Sequence, residues 1–125
     1  MNILLEQVDN IKREQLVLKR KNYRNLIVIR DIVATITEVP SKVFISKERK
    51  RDIVDARHIC MVQLAKRTSL TNSFIGAGFN GDHSMVNHAH KKYNELYGRD
   101  AQFTRYANDI DTILDQMDIT KPNEL

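Results

Sequence analysis

The chain has one cysteine, no tryptophan, two prolines and four glycines in 125 residues. A single thiol, Cys60, can close no internal disulfide, so an oxidising compartment is not implied. So few Gly and Pro argue against a turn-rich β fold and against a disordered chain. No apolar run approaches membrane-spanning length: the longest, Leu26-Ile27-Val28-Ile29, is stopped by Arg30-Asp31. The start, Met1 to Glu6, lacks the charged and apolar regions of a secretory signal. These absences leave a cytoplasmic chain with no membrane partner as the expectation. Hydrophobic residues make up 42%, enough for one core in one domain. The sparse punctuation predicts long helices with short connections.

Charge is present but uneven. The formal net charge is +4. Residues 1–67 carry 15 Lys and Arg against 8 Asp and Glu, while residues 68–125 carry 5 against 8. Such asymmetry fits a polyanion-binding face in the first half, or a solvated Lys-rich helix surface.

Helical spacing organises the rest. Leu4, Val8, Ile11 and Leu18 predict an amphipathic first helix over residues 1–22, its thin stripe interrupted by Gln15. That helix is either a dimerisation element, with residues 1–20 joining two copies, or a loosely packed arm. Leu26, Ile29, Val33 and Ile36 predict a separate core helix, stopped at Val39-Pro40. Val43-Phe44-Ile45 reads as a helical turn. Ile53, Ala56, Cys60 and Leu64 mark another helix, ending at Lys66-Arg67. Thr68 to Ser73 is connector and cap material. Phe74 to Phe79 is a short apolar piece, and Asn80-Gly81 is a turn. Val86, Ala89, Tyr93 and Leu96 give the next helix, closed by Gly98. Phe103, Tyr106, Ile110, Ile113, Leu114 and Met117 give the last, before a Lys121-Pro122 tail. The predicted division is an arm over 1–22, a domain over 23–118 and a tail over 119–125.

A short helix, a tight turn and a longer helix between Thr71 and Tyr93 form a helix-turn-helix. In that motif the second helix enters the major groove of duplex DNA with its first residues at the base edges. Here those are Asp82, His83, Ser84 and Met85, with Asn87 and His88 a turn on. Asp accepts from a cytosine amino group, His donates to guanine or phosphate, and Met packs on a thymine methyl. The basic segment Lys47, Arg49, Lys50 and Arg51 suits a loop that inserts an Arg into a narrow minor groove.

The run Ile75-Gly76-Ala77-Gly78-Phe79-Asn80-Gly81-Asp82-His83-Ser84-Met85-Val86-Asn87-His88-Ala89 resembles the signature of the C-terminal DNA-binding domain of the bacterial replication initiator DnaA, I-G-x-x-F-G-G-R-D-H-[ST]-T-V-x-H-A. Ser46 to Arg51 and Asp55 to Met61 resemble that family's S-K-R-R-x-R and x-A-R-x-I-A-M segments. The resemblance extends from about Leu26 to Leu114. It implies an all-α helical bundle containing a helix-turn-helix, similar to the Trp-repressor type. It implies Arg49 in the minor groove, Asp82 to Met85 in the major groove, and Lys47, Arg57 and Lys66 near phosphates. The chain departs from the family in the spacing of the helix from Arg57 to Lys66 and of the connector after it, and in three residues. The Arg before Asp-His is absent, Met85 stands where Thr is usual, and Glu48 replaces a basic residue. The length leaves no room for an AAA+ ATPase, and no G-x-x-x-x-G-K-[ST] loop is present. The expectation is therefore a stand-alone, non-enzymatic binder of double-stranded DNA without nucleotide or other cofactor. It would act in replication initiation or its regulation, encoded by a phage or mobile element. The alternatives are a transcriptional regulator and a protein-interaction adaptor that has lost DNA specificity.

Other chemistries read less well. Cys60 shares an apolar stripe with Ala56 and Leu64, and His88 and His90 diverge on their helix, so no metal is expected. Ser84 beside His83 is not a nucleophile–base pair. Asp111, Asp115 and Asp118 read as a solvated helix face. RNA readers rely on stacking aromatics, which segment 46–67 lacks.

Overall fold

The computed structural model describes residues 3–121. Among these the chain is all-α, with five helices, a 3₁₀ turn and no strand. Helix α1 spans Ile3–Thr37, the 3₁₀ turn Ser41–Ile45, α2 Arg51–Arg67, α3 Asn72–Gly78, α4 His83–Leu96 and α5 Ala101–Gln116. None of these helices is long and apolar enough to cross a membrane. The predicted tail lies outside the described residues from Pro122 onward.

The sequence reading divides α1 into two helices, and the structure corrects this. One helix of 35 residues runs through the expected boundary at Asn22. No Gly or Pro interrupts it, so nothing local stops propagation. It ends where Glu38 adopts a left-handed φ of 58° and Val39-Pro40 follows. The two halves have different fates. Asn22, Asn25, Ile29, Val33 and Thr37 are buried, whereas residues 3–21 are exposed save the half-buried Leu18.

Helix α2 is the centre of the fold. The sequence shows one apolar stripe on it, but Ile59, Met61, Val62 and Gln63 are buried as well. It is enclosed because α1, α3, α4 and the 3₁₀ turn all pack on it. Cys60 lies fully inside, and burial pushes its thiol up to about 12. Phe44 anchors the 3₁₀ turn to this core, and Phe103, Ala107, Ile110 and Leu114 close it from α5.

A buried cation fastens the C-terminal end. Arg67 donates to Gln63 Oε1 at 2.7 Å, to the Ile119 carbonyl at 2.7 Å and to Asp111 at 2.9 Å, and it pairs with Asp115 at 2.8 Å. Asp111 also accepts from Gln63 and Lys66. Burial pulls this carboxyl upward, but the hydrogen bonds from Gln63, Arg67 and Lys66 outweigh it and hold its pKa below the usual range. The aspartate row that looked solvated is thus partly a set of anchors between α2 and α5.

Candidate nucleic-acid interface

The helix-turn-helix is built by local chemistry. Thr71 caps α3, its hydroxyl accepting from the Phe74 N–H at 3.1 Å. Asp82 caps α4, its carboxylate accepting from the Ser84 N–H at 2.9 Å and from the Ser84 hydroxyl. The hydrogen bonds from Ser84 hold Asp82 below the usual carboxylate range. Asn80 turns the chain with a φ of 61°, and the Gly81 N–H returns to the Gly76 carbonyl at 2.8 Å. The two helices meet at Gly76. A Cβ there would stand 2.0 Å from the Asp82 carbonyl oxygen, so only glycine permits this approach.

The basic loop lies beside this motif, held mainly by α2. Arg57 donates to the carbonyls of Phe44 and Ser46, each at 2.8 Å, and of Glu48 at 3.2 Å. Asn80 Nδ2 donates to the Ile45 carbonyl at 3.1 Å. One residue of α2 and one of the Asn80-Gly81 turn therefore hold four carbonyls, two at the end of the 3₁₀ turn and two in the loop. Between loop and α4 runs a groove of about 530 Å³, lined among others by Lys47, Arg49, Arg57, Met85, His88 and Lys92.

The expected site residues divide into three groups. Lys47, Arg49, Arg57, Met85 and His88 come together at the groove. Asp82, His83, Ser84 and Asn87 are exposed over the first turns of α4. Lys50 is exposed at the end of the loop, just before α2. Arg51 and Lys66 are occupied elsewhere: Arg51 pairs with Asp100 and, at 3.6 Å, with Asp55, and Lys66 pairs with Asp111 at 3.2 Å. Met85 is half-buried, lining the groove while it also packs against the core. Its methyl and sulfur fill the space over Gly81.

His88 faces α2 across the groove floor, its ring 5.6 Å from that of His58 in an edge-to-face contact. His58 is buried, and its Nδ1 has no hydrogen-bond partner among the described residues. Burial lowers its pKa to about 4, and His88, Arg57 and Lys92 add to the shift.

Sequence reasoning missed Asn80, His58 and Lys92. Asn80 registered only as a turn residue. Lys92 was detectable, because Met85, His88 and Lys92 fall at i, i+3 and i+7 on one helix face.

The comparisons with known proteins agree with this geometry. The family model described as "Bacterial dnaA protein helix-turn-helix" matches residues 27–92, from the core half of α1 to the middle of α4. The chain is 33% identical over 95 residues to the chromosomal replication initiator protein DnaA of Enterococcus faecalis, covering 75% of this chain and 21% of that protein. It is 35% identical over 97 residues to the DnaA of Buchnera aphidicola subsp. Cinara cedri, covering 77% and 21%. The DnaA of Flavobacterium psychrophilum is 31% identical over 104 residues, 82% of this chain and 20% of that protein. The chain thus spans about a fifth of the length of these relatives.

Proposed function

The chain belongs to the bacterial DnaA helix-turn-helix family, and from that premise we propose that it binds double-stranded DNA with sequence preference, in replication initiation or its regulation. Residues 23–118 form the binding unit. The start of α4 enters the major groove, with His83, Ser84 and Asn87 at base edges. The loop from Lys47 to Lys50 enters the adjacent minor groove through Arg49. Asp82 serves first as the cap that orients α4, and Arg57 first as the residue that orients the loop.

One observation carries this reading: the loop and α4 flank one groove, with Asn80, just before α4, bonded to the Ile45 carbonyl and Arg57 of α2 bonded to the Ser46 and Glu48 carbonyls of the loop. Lys47, Arg49 and Lys50 remain exposed, and among the described residues they join no ion pair. Cations in that condition are the ones a phosphate backbone can use. The absent Arg before Asp82, and Met85 where the family has Thr, change the groups available for base contact. The preferred site should therefore differ from the family's usual one.

Selection from a random duplex library at low salt tests the reading and returns the site. A consensus sequence is expected, with affinity falling steeply as salt rises. Retention of no duplex at low salt would sink it, and a binding partner insensitive to salt would favour the adaptor reading instead.

A further inference from the structure

The face on which α1 packs does not stop where the domain body stops. Its buried residues Asn22, Asn25, Ile29 and Val33 continue N-terminally, in steps of three and four, through Leu18, Gln15, Ile11 and Val8. This is the seven-residue repeat of helices that pack on a partner helix, with Gln15 the polar residue on its open part and Asn22 and Asn25 polar inside the body. Over residues 3–21 the seam is open, with Val8 45% and Ile11 52% exposed. Propensity adds little to such an arm, since most helical stability in proteins comes from covering an apolar face. Charge along the arm is also divided. Glu6 and Asp9 lie toward its tip, and Lys12, Arg13, Lys19, Arg20 and Lys21 crowd toward the body, with Glu14 among them.

We propose that this seam is covered by the same segment of a second copy of the chain, running antiparallel. Charge complementarity selects that occupant and direction. A parallel pair sets one basic stretch beside the other, whereas an antiparallel pair sets Glu6 and Asp9 of each arm beside the basic stretch of the other. The position of the body selects the same direction. From Asn22 onward the rest of the domain occupies the seam face of α1. A parallel pair would bring two bodies together on that face, whereas an antiparallel pair keeps them apart. Beside Asn22 an apolar groove of about 610 Å³ opens between α1 and α3, lined by Leu18, Leu26, Leu70 and Phe74 among others. Phe74 is 59% exposed there, and the arriving tip carries Ile3 and Leu5, 69% and 62% exposed. The resulting pair is two-fold symmetric, with a body at each end. The dimer itself is independent of DNA; the consequence that two α4 helices address two half-sites rests on the proposed DNA binding.

Sedimentation equilibrium of the full chain without DNA, from micromolar to near-millimolar concentration, tests the pairing. The expected mass is twice that of one chain. Ile11→Lys should return it to one, while amide-exchange protection of residues 53–64 stays unchanged and shows that the body is folded. Direction is read by mixing Val8→Cys and Leu18→Cys proteins under oxidising conditions. Cross-links between the two variants are expected, and Cys60 does not compete because it is fully buried. A single-chain mass throughout overturns the proposal and leaves the seam to a different protein. Val8→Cys linking to itself overturns the antiparallel arrangement. A confirmed dimer that retains no duplex would overturn the DNA reading alone.

Discussion

Arg57 and Arg67 sit on α2 and point their charge inward, while Lys47, Arg49 and Lys50 on the preceding loop leave theirs in solvent. Arg67 satisfies a carbonyl, an amide oxygen and two carboxylates near the C-terminal end. Arg57 satisfies three loop carbonyls. The outward three satisfy nothing within the described chain. A tally of basic residues treats all five alike. Their partners separate them into cations that build the surface and cations that the surface displays.

Removing each kind should separate stability from binding. The largest effect belongs to Arg67→Met, which strips a buried partner from Asp111 and the Ile119 carbonyl. It should cost about 3–5 kcal/mol in urea unfolding, with duplex affinity of the folded fraction unchanged. A loss under 1 kcal/mol would break the assignment of Arg67 to the framework. Next comes Arg57→Ala, expected to lose roughly 2 kcal/mol, because charged hydrogen bonds are worth about 1.5–3 kcal/mol each before relaxation. It should weaken DNA binding as well, by releasing the loop. Arg57→Lys should rescue neither property, since one ammonium cannot reproduce the planar fork. Binding that survives intact in a loosened Arg57→Ala protein would show that the strap is not needed.

The pH dependence sharpens the same contrast. His58 is neutral in the fold down to about pH 4, while the unfolded chain protonates it near the ordinary value of about 6.5. The unfolded state therefore binds the extra proton between these limits, and stability should fall as pH drops from 6.5 toward 4. His58→Gln should flatten that part of the profile, as followed by thermal melting. An unchanged slope would place the titration elsewhere. The smallest stability effect should come from Arg49→Ala, within about 0.5 kcal/mol of wild type. Its effect should appear only on DNA, as weaker binding and a salt slope reduced by about 1. Destabilisation beyond that range would move Arg49 into the framework group.

Much of this was legible in the sequence because local rules acted alone. Thr71, Asp82 and Gly98 punctuate helices through their own side chains or backbone, and the Asn80-Gly81 turn needs only nearby residues. What escaped depends on partners distant in sequence. Asn22 and Asn25 look like a break in an apolar stripe, yet tertiary packing buries them and α1 runs on. Asp111 looks solvated until Arg67, 44 residues earlier, is placed beside it. The hold that Arg57 has on the chain shows only once the fold brings the Phe44, Ser46 and Glu48 carbonyls to its guanidinium.

The strap from Arg57 and Asn80 has a thermodynamic consequence. A loop already held by its carbonyls has little conformational freedom left to surrender when it meets a ligand, so association should proceed with a modest ordering entropy and a small heat-capacity change. Calorimetry of the wild type against Asn80→Ala would register that difference even where the two affinities are close.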